Sequence, residues 1–305
     1  MTDGGTEVVV LGSANVDVVL RVAQLPRPGE TVLARERETG SGGKGANQAV
    51  AAARSGARTA FLGALGDDAG AQVLRAALAA AQVDASAVRV VGQDTGSAYV
   101  VVDAAGENAI VVHPGANADL VDLDDGELGL VAVAGVLLCQ LEVPLSTVTS
   151  AVRHARAHGV RTVLNAAPAA VLPEELVSAL DVLVVNEQEA LAVAQVQGDM
   201  DGALEVLLRR VPEVVVTLGA AGALVGVRGA GPRRVPGVAA RSVVDTTGAG
   251  DVFAGALVAA QARGLPLLEA VGYGCAAASL SVEQPGAAAS APTRQQAEAR
   301  LGGGG

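Results

Sequence analysis

The sequence is poor in aromatic residues: no Trp, two Phe and two Tyr among 305 residues. That scarcity excludes a surface that stacks bases on rings, the usual grip on single-stranded nucleic acid. Cysteine is as sparse. Cys139 and Cys275 stand far apart, fit neither a zinc site nor a disulfide framework, and read as two buried thiols in a reducing compartment. No basic region precedes the first apolar run, so the N-terminus does not read as a signal peptide. The longest apolar stretch, residues 128–141, is too short and too Gly-interrupted to span a bilayer. Positive charge is also in deficit: 21 Lys and Arg against 32 Asp and Glu leave a net charge of −11. Such a field repels nucleic acid and anionic membranes and favours solubility. The expectation is a cytoplasmic protein with no nucleic-acid or membrane partner. An anionic substrate would then need a local positive site or a metal ion.

Half of the residues are apolar, enough for a sizeable core built from Val, Leu and Ala. That composition suits a parallel sheet buried between helices. Strand-like runs occur at residues 7–11, 59–62, 136–141, 161–165, 182–185 and 214–218, with helical stretches at 46–55, 69–81, 146–158, 187–195 and 202–210. Strand–helix alternation predicts an α/β fold with a mostly parallel sheet. Residues 16–22 and 31–37 read as two further strands joined by Pro26-Arg27-Pro28-Gly29, the second heavily charged. With residues 98–103 and 108–112 they predict a flap outside the main sheet. Residues 40–45 read as a glycine-rich loop. Two long apolar helices, 248–263 and 266–282, follow, and the four closing glycines carry no fold information.

The strongest chemical signal is Asp245-Thr246-Thr247-Gly248-Ala249-Gly250-Asp251 at the start of an apolar helix. Small residues there expose the first helical N–H groups, which with the helix dipole make an anion site. A phosphoryl group in flight carries spread negative charge that such a site stabilises. Asp251, in the first turn beside it, can take a proton from an attacking hydroxyl. The bland alternative is a glycine-rich helix entry whose acid complements the dipole. Gly40-Ser41-Gly42-Gly43-Lys44-Gly45-Ala46-Asn47 fits G-x-G-x-x-G, but it follows a charged strand, not the first buried one, and Lys44 is followed by Gly45. It is therefore neither a P-loop nor a sound dinucleotide fingerprint. Gly43, Lys44 and Asn47 instead suit a polyhydroxylated ligand, or form a structural turn.

Asn15 and Asp17 follow the first strand, where ligands of open α/β sheets bind; two apart, they point one way, and an Asx turn is the alternative. Glu142 and the Asn186–Glu189 pair sit at further strand ends, as solvated helix-start groups or as groups acting on a magnesium–nucleotide complex through water. Thr217-Leu218-Gly219-Ala220-Ala221-Gly222 is a strand running into a turn small enough for a flat base or a phosphate to approach. His113, His154 and His158 have no metal-ligand spacing and read as surface residues.

In this order the signals resemble the ribokinase family, the PfkB group of carbohydrate kinases, from about Gly12 to about Pro292. Gly42–Ala49 resembles the family's first signature and Asp245–Asp251 its second. Pro28-Gly29-Glu30-Thr31 and His113-Pro114-Gly115-Ala116-Asn117 add to the likeness. The resemblance implies a three-layer α/β/α sandwich as a single domain over 1–305, with a small β-sheet lid from about 14–40 and 95–115. It implies ATP-dependent phosphorylation of the primary O5 hydroxyl of ribose, with Asp251 as base and Gly248, Ala249 and Gly250 as the anion hole. Ribose would be held by Asn15, Asp17, Gly43, Lys44, Asn47, Glu142 and Asp251. ATP would contact Asn186, Thr217, Gly219, Gly222, Gly250 and Cys275, with Glu189 helping to place Mg2+. A monovalent cation, K+, would be held by Asp245, Thr247, Ser281, Gln284, Gly286 and Ser290, and the chain would form a homodimer through the lid. Two places depart from the family pattern: Cys275, where a polar residue near adenine is expected, and Glu283-Gln284-Pro285, where a more basic stretch is expected. Other acceptors (deoxyribose, a ketose, a nucleoside) stay open on the same fold. So does a non-catalytic sugar sensor, which has no need of Asp251 and the anion hole together. A dinucleotide oxidoreductase has only the G-x-G-x-x-G behind it.

Overall fold

Four apolar residues, Val8–Leu11, form strand β1, and their side chains alternate between two cores. Val8 and Val10 enter one, Val9 and Leu11 the other. A strand covered on both faces needs no polar alternation, which is why it reads as an unbroken apolar run. The structure is a computed structural model describing residues 5–302; Met1–Gly4 and the last three glycines of the tail lie outside it.

Along the chain follow β2 (Asn15–Arg21), β3 (Glu36–Gly42), α1 (Lys44–Arg54), β4 (Thr59–Leu62), β5 (Ala64–Leu65), α2 (Ala69–Ala80), β6 (Arg89–Val90), β7 (Gly96–Val102) and β8 (Asn108–His113). Then come α3 (Asp125–Ala132), β9 (Val136–Cys139), α4 (Leu145–Ala157), β10 (Arg161–Asn165), α5 (Glu174–Val177), β11 (Val182–Asn186), α6 (Glu187–Ala194), α7 (Met200–Arg210) and β12 (Glu213–Thr217). The chain closes with β13 (Gly222–Val227), β14 (Arg233–Pro236), α8 (Ala249–Ala262), α9 (Leu267–Ser281) and α10 (Arg294–Gly302).

The main sheet has the order β14-β13-β12-β11-β10-β9-β1-β4. It is parallel from β12 to β4, with β13 and β14 antiparallel at one edge. Helices α1, α2, α8, α9 and α10 contribute to the core on one face, and α3 to α7 to the core on the other. This is the mostly parallel α/β sheet that strand–helix alternation predicts, in the three-layer α/β/α arrangement that the family resemblance implies. A separate four-stranded sheet, β3-β2-β7-β8, stands outside it. The order in which strands are added reverses at β1, since the chain steps to β4 on one side and to β9 on the other. In such folds ligands bind beyond the strand ends at that point.

Several sequence expectations are corrected. Residues 31–37 do not form the second flap strand; it runs Glu36–Gly42 and takes in the first half of the stretch read as a loop. Gly40, Ser41 and Gly42 are extended because they pair with Asp17, Val16 and Asn15. Tertiary pairing overrides their weak strand propensity. The G-x-G-x-x-G glycines accordingly fall in a strand and in α1, not in one loop. The apolar stretch 128–141 divides between α3 and β9, and β13, β14, α3, α5 and α10 are elements the sequence reading did not predict. Of the histidines, His113 and His158 are exposed, but His154 is half-buried, with its ring 4.2 Å from that of His158.

Candidate active site

The chain reaches α8 through Gly248, whose φ of 74° lies in the left-handed region that favours glycine. A side chain there would also collide with Ala287, because a Cβ would come within 2.5 Å of that residue's methyl. The tight turn leaves the helix N-terminus bare. The Ala249 N–H makes a long 3.3 Å contact with the Thr246 carbonyl. The Gly250 and Asp251 N–H groups have no protein acceptor among the described residues. Two aligned donors and the helix dipole thus face outward together.

The Asp251 carboxylate is buried in the first turn of α8. Asn47 Nδ2 donates to its Oδ2 at 3.0 Å, and Gln48 Nε2 to its Oδ1 at 2.9 Å. Gln48 is held in turn: its amide also donates to Asn165 Oδ1 at 2.9 Å, and its Oε1 accepts from Gln140 Nε2 at 2.6 Å. Burial pushes the Asp251 pKa above the usual carboxylate range, opposed by the Lys44 charge and the two amides. A buried carboxylate of raised pKa, oriented by amides beside an anion site, is equipped to accept a proton at neutral pH. Gln48, Gln140 and Asn165 were missed in the sequence. The signal for Gln48 was its place one residue after Asn47 in the signature; Gln140 and Asn165 offered only the ends of two apolar strands.

The α1 entrance is closed. Glu142 Oε2 accepts from the Lys44 N–H at 3.1 Å and from Ser13 Oγ at 2.5 Å. The Ala46 N–H donates to the Ser13 carbonyl at 2.8 Å. Gly43 (φ 86°) and Gly45 serve close backbone approach: a Cβ at Gly43 would lie 2.6 Å from the Asn15 nitrogen, and one at Gly45 2.6 Å from the Gly12 carbonyl carbon. Asn15 is buried and accepts from Asn117 Nδ2 at 2.7 Å. Asp17 lies on the same face of β2 and packs over Gly42. Its pKa rises to about 6, through burial first and then the Glu142 and Asp251 charges. Asn15, Asp17, Lys44, Asn47, Glu142 and Asp251 thus gather at the switch point of the sheet, as an acidic cleft with one lysine.

Beyond α8 lies a cavity of about 580 Å3. Thr217, Gly219 and Gly222 line one side, Cys275 and Ser279 of α9 another, and Ala249 and Gly250 its end. Residues 237–243, which no sequence signal had marked, complete it. Burial pushes the Cys275 thiol to about 11 and the Cys139 thiol higher still. Asn186 and Glu189 do not line the cavity. Asn186 caps α6 and Glu189 returns the contact, each to the other's N–H at 2.8 Å. Glu189 is half-buried, its pKa raised by burial, and feels the charges of Lys44 and Asp251.

Asp245 joins the α8 turn to the segment after α9. Its Oδ1 accepts from the Thr247 N–H and its Oδ2 from the Gly286 N–H, both at 2.9 Å. Burial pulls its pKa up, but these hydrogen bonds outweigh it and the net shift is down. The Ser281 and Ser290 hydroxyls donate to the Ala278 and Ala287 carbonyls, and Gln284 is exposed. These residues offer oxygen donors only, the ligand chemistry that suits a weakly hydrated monovalent cation. Among the described residues no group of three or more His, Cys, Asp or Glu could hold a metal ion, and no helix is long and apolar enough to cross a membrane.

The pfkB family carbohydrate kinase model matches residues 5–294. Ribokinase of Haemophilus influenzae is 40% identical over 294 residues, covering 94% of this chain and 95% of that protein. Ribokinase of Staphylococcus aureus is 37% identical over 305 residues, covering 95% and 98%. The structure of Arabidopsis thaliana ribokinase complexed with ribose and ATP superposes with a TM-score of 0.92 at 33% identity, covering 98% of this chain and 99% of that one. An oriented carboxylate beside a bare helix N-terminus, with family identity along nearly the whole chain, leads to one assignment: the chain belongs to the pfkB family of carbohydrate kinases.

Proposed function

We propose that the chain transfers the γ-phosphoryl group of ATP to the O5 hydroxyl of D-ribose, giving ribose 5-phosphate and ADP. The observation that carries this reading is Asp251: a buried, amide-oriented carboxylate whose own N–H and that of Gly250 have no protein acceptor among the described residues, beside the cavity that Gly250 lines. Asn15, Asp17, Gly43, Lys44, Asn47 and Glu142 hold the sugar, their polar groups matching several ring hydroxyls. Asp251 accepts the O5 proton as the O5–P bond forms and the bond from the γ-phosphorus to the β,γ-bridging oxygen breaks. The Gly248–Gly250 turn donates to the equatorial oxygens, where charge accumulates. The base of ATP lies in the 580 Å3 cavity against Thr217, Gly219, Gly222 and Cys275. Asn186 and Glu189 flank the phosphates at the next strand end. Mg2+, placed with the help of Glu189, would neutralise phosphate charge; K+, held by Asp245, Thr247, Ser281, Gln284, Gly286 and Ser290, would add a fixed positive charge beside the anion hole.

In this reading the chain is one domain, and the β3-β2-β7-β8 sheet is a lid that excludes water as a competing acceptor. Its β8 strand is exposed throughout, including Ile110, Val111 and Val112, which supports a homodimer formed lid to lid. Two buried, unpaired thiols support a reducing, cytoplasmic setting. The test is ADP release with MgATP against a panel of ribose, deoxyribose, ketoses and nucleosides, in Na+ or K+, with 31P NMR of the product. Ribose-dependent turnover yielding a 5-phosphate, faster in K+, is expected. Ribose binding without turnover would leave only a sensor, and a nucleoside preferred over ribose would move the substrate.

A further inference from the structure

One wall of the nucleotide cavity is the segment 237–243, and α9 is the wall facing it. Ala239, Ala240 and Val243 line the first, Cys275, Ala278 and Ser279 the second. Residues 237–243 have no regular secondary structure; Val238 packs against the core, but Ala239 and residues 241–243 are exposed, so the wall beyond Val238 gains little from its own packing. The Gly237 N–H donates to the Ala221 carbonyl at 3.2 Å, and beyond that residue the wall is held by hydrogen bonds to Glu283, just after α9, and to one residue of α10, Arg300. Arg300 Nη1 donates to the Ala239 carbonyl at 3.1 Å and approaches Ser279 Oγ at 3.4 Å, touching a lining residue on each wall. Its Nη2 spans both oxygens of Glu283, at 2.9 and 3.1 Å. Glu283 Oε1 also accepts from the Arg241 N–H at 2.6 Å. The pair is shielded: the side chains are 12% and 17% exposed, against 62% and 61% for Arg153 and Glu175 on the surface. Shielded, hydrogen-bonded charge pairs hold geometry far better than exposed ones. The acidic Glu283 is the departure from the expected basic stretch, and here it has a partner.

We infer that Arg300, seated on Glu283, is a positioning residue for the nucleotide: it ties the 237–243 wall to α9 and sets the width of the cavity that receives the base. The sugar-side residues make no contact with the pair. The Val244 N–H donates to the Val282 carbonyl at 2.7 Å, so the wall keeps a second anchor and the fold does not depend on Arg300 alone. The inference rests on the cavity being the nucleotide site, and the experiment separates the two.

Steady-state kinetics and ADP calorimetry are measured for Arg300→Gln, Arg300→Lys, Glu283→Gln and Ala278→Phe, the last filling the cavity without touching the pair. Arg300→Gln is expected to raise KM for ATP and Kd for ADP about tenfold, with kcat and KM for ribose within about twofold. Arg300→Lys, which keeps the charge but not the planar fork, should recover part of the loss. It and Glu283→Gln carry the test if Arg300→Gln fails to fold. The inference is overturned if KM for ATP stays within about twofold in the Arg300 and Glu283 variants while Ala278→Phe raises it, or if kcat and KM for ribose move in step with KM for ATP. If Ala278→Phe also leaves ATP affinity unchanged, the cavity assignment falls, and this inference with it.

Discussion

Two glycine-rich helix entrances lie side by side in this molecule and have opposite fates. At α1 the amide of Lys44 is taken by Glu142 and that of Ala46 by Ser13. At α8 the amides of Gly250 and Asp251 meet no protein acceptor among the described residues. Both sequences are rich in small residues, and both put glycine at positive φ before the first turn, Gly43 at 86° and Gly248 at 74°. Local sequence therefore makes a potential anion site twice, and a carboxylate from a distant strand end closes one of them. In the proposed function the sealed entrance forms the floor of the sugar cleft, and the open one receives phosphate.

The comparison can be broken most forcefully at Asp251. Asp251→Asn should lower kcat by roughly 100-fold or more while leaving ribose binding by calorimetry largely intact. Because burial disfavours the charge, this variant should also be at least as stable as the parent to urea. Near-normal turnover would remove the base from the mechanism. Gln48→Ala comes next, with an expected loss in kcat of about tenfold. Its hydrogen bond holds the Asp251 pKa down, so its removal should move the acid limb of the kcat–pH profile to higher pH; an unmoved limb would reduce Gln48 to packing.

Smaller effects sharpen the contrast. Glu142→Ala unseals α1 and should cost about 1–2 kcal/mol in chemical denaturation, unlike Asp251→Asn. If both variants denature alike, the two entrances are not distinct in the way described. The smallest effect belongs to Asp17. With a pKa of about 6 it is ionised at pH 7.5 and mostly protonated at pH 5.5, so KM for ribose should rise about fourfold on that descent. Protonation removes an acceptor, so binding weakens as pH falls. Asp17→Asn should abolish the slope; a slope that persists would assign it to another group.

The legibility of the site follows from side-chain chemistry. The proposed sugar cleft is built from polar side chains at strand ends and on α1, and Asn15, Asp17, Asn47 and Glu142 could be picked out because polar groups stand out against Val and Ala. The cavity beyond α8 is walled largely by Gly, Ala and Val, and its 237–243 segment looks like any surface loop in sequence. Gln48 was hidden beside a more obvious neighbour, and Asn165 and Gln140 act only through it. Asn186 and Glu189 had two readings, and their reciprocal cap on α6 is compatible with both the helix-start reading and the proposed place beside the phosphates.

By itself the sequence determined the layers. Unbroken apolar runs alternating with amphipathic stretches can be buried only as a parallel sheet between helices, and β4 and β10 fall on the runs that mark them. It also determined the glycine turn and Asp251, because positive φ and a first-turn acid are local properties. The tertiary structure alone decided that Gly40–Gly42 is strand, that Glu142 closes α1, and that Gln48, Asn165 and Gln140 converge behind the base. Each of these depends on a partner tens of residues or more away, and pairing energy across such distances leaves no periodic trace in the chain.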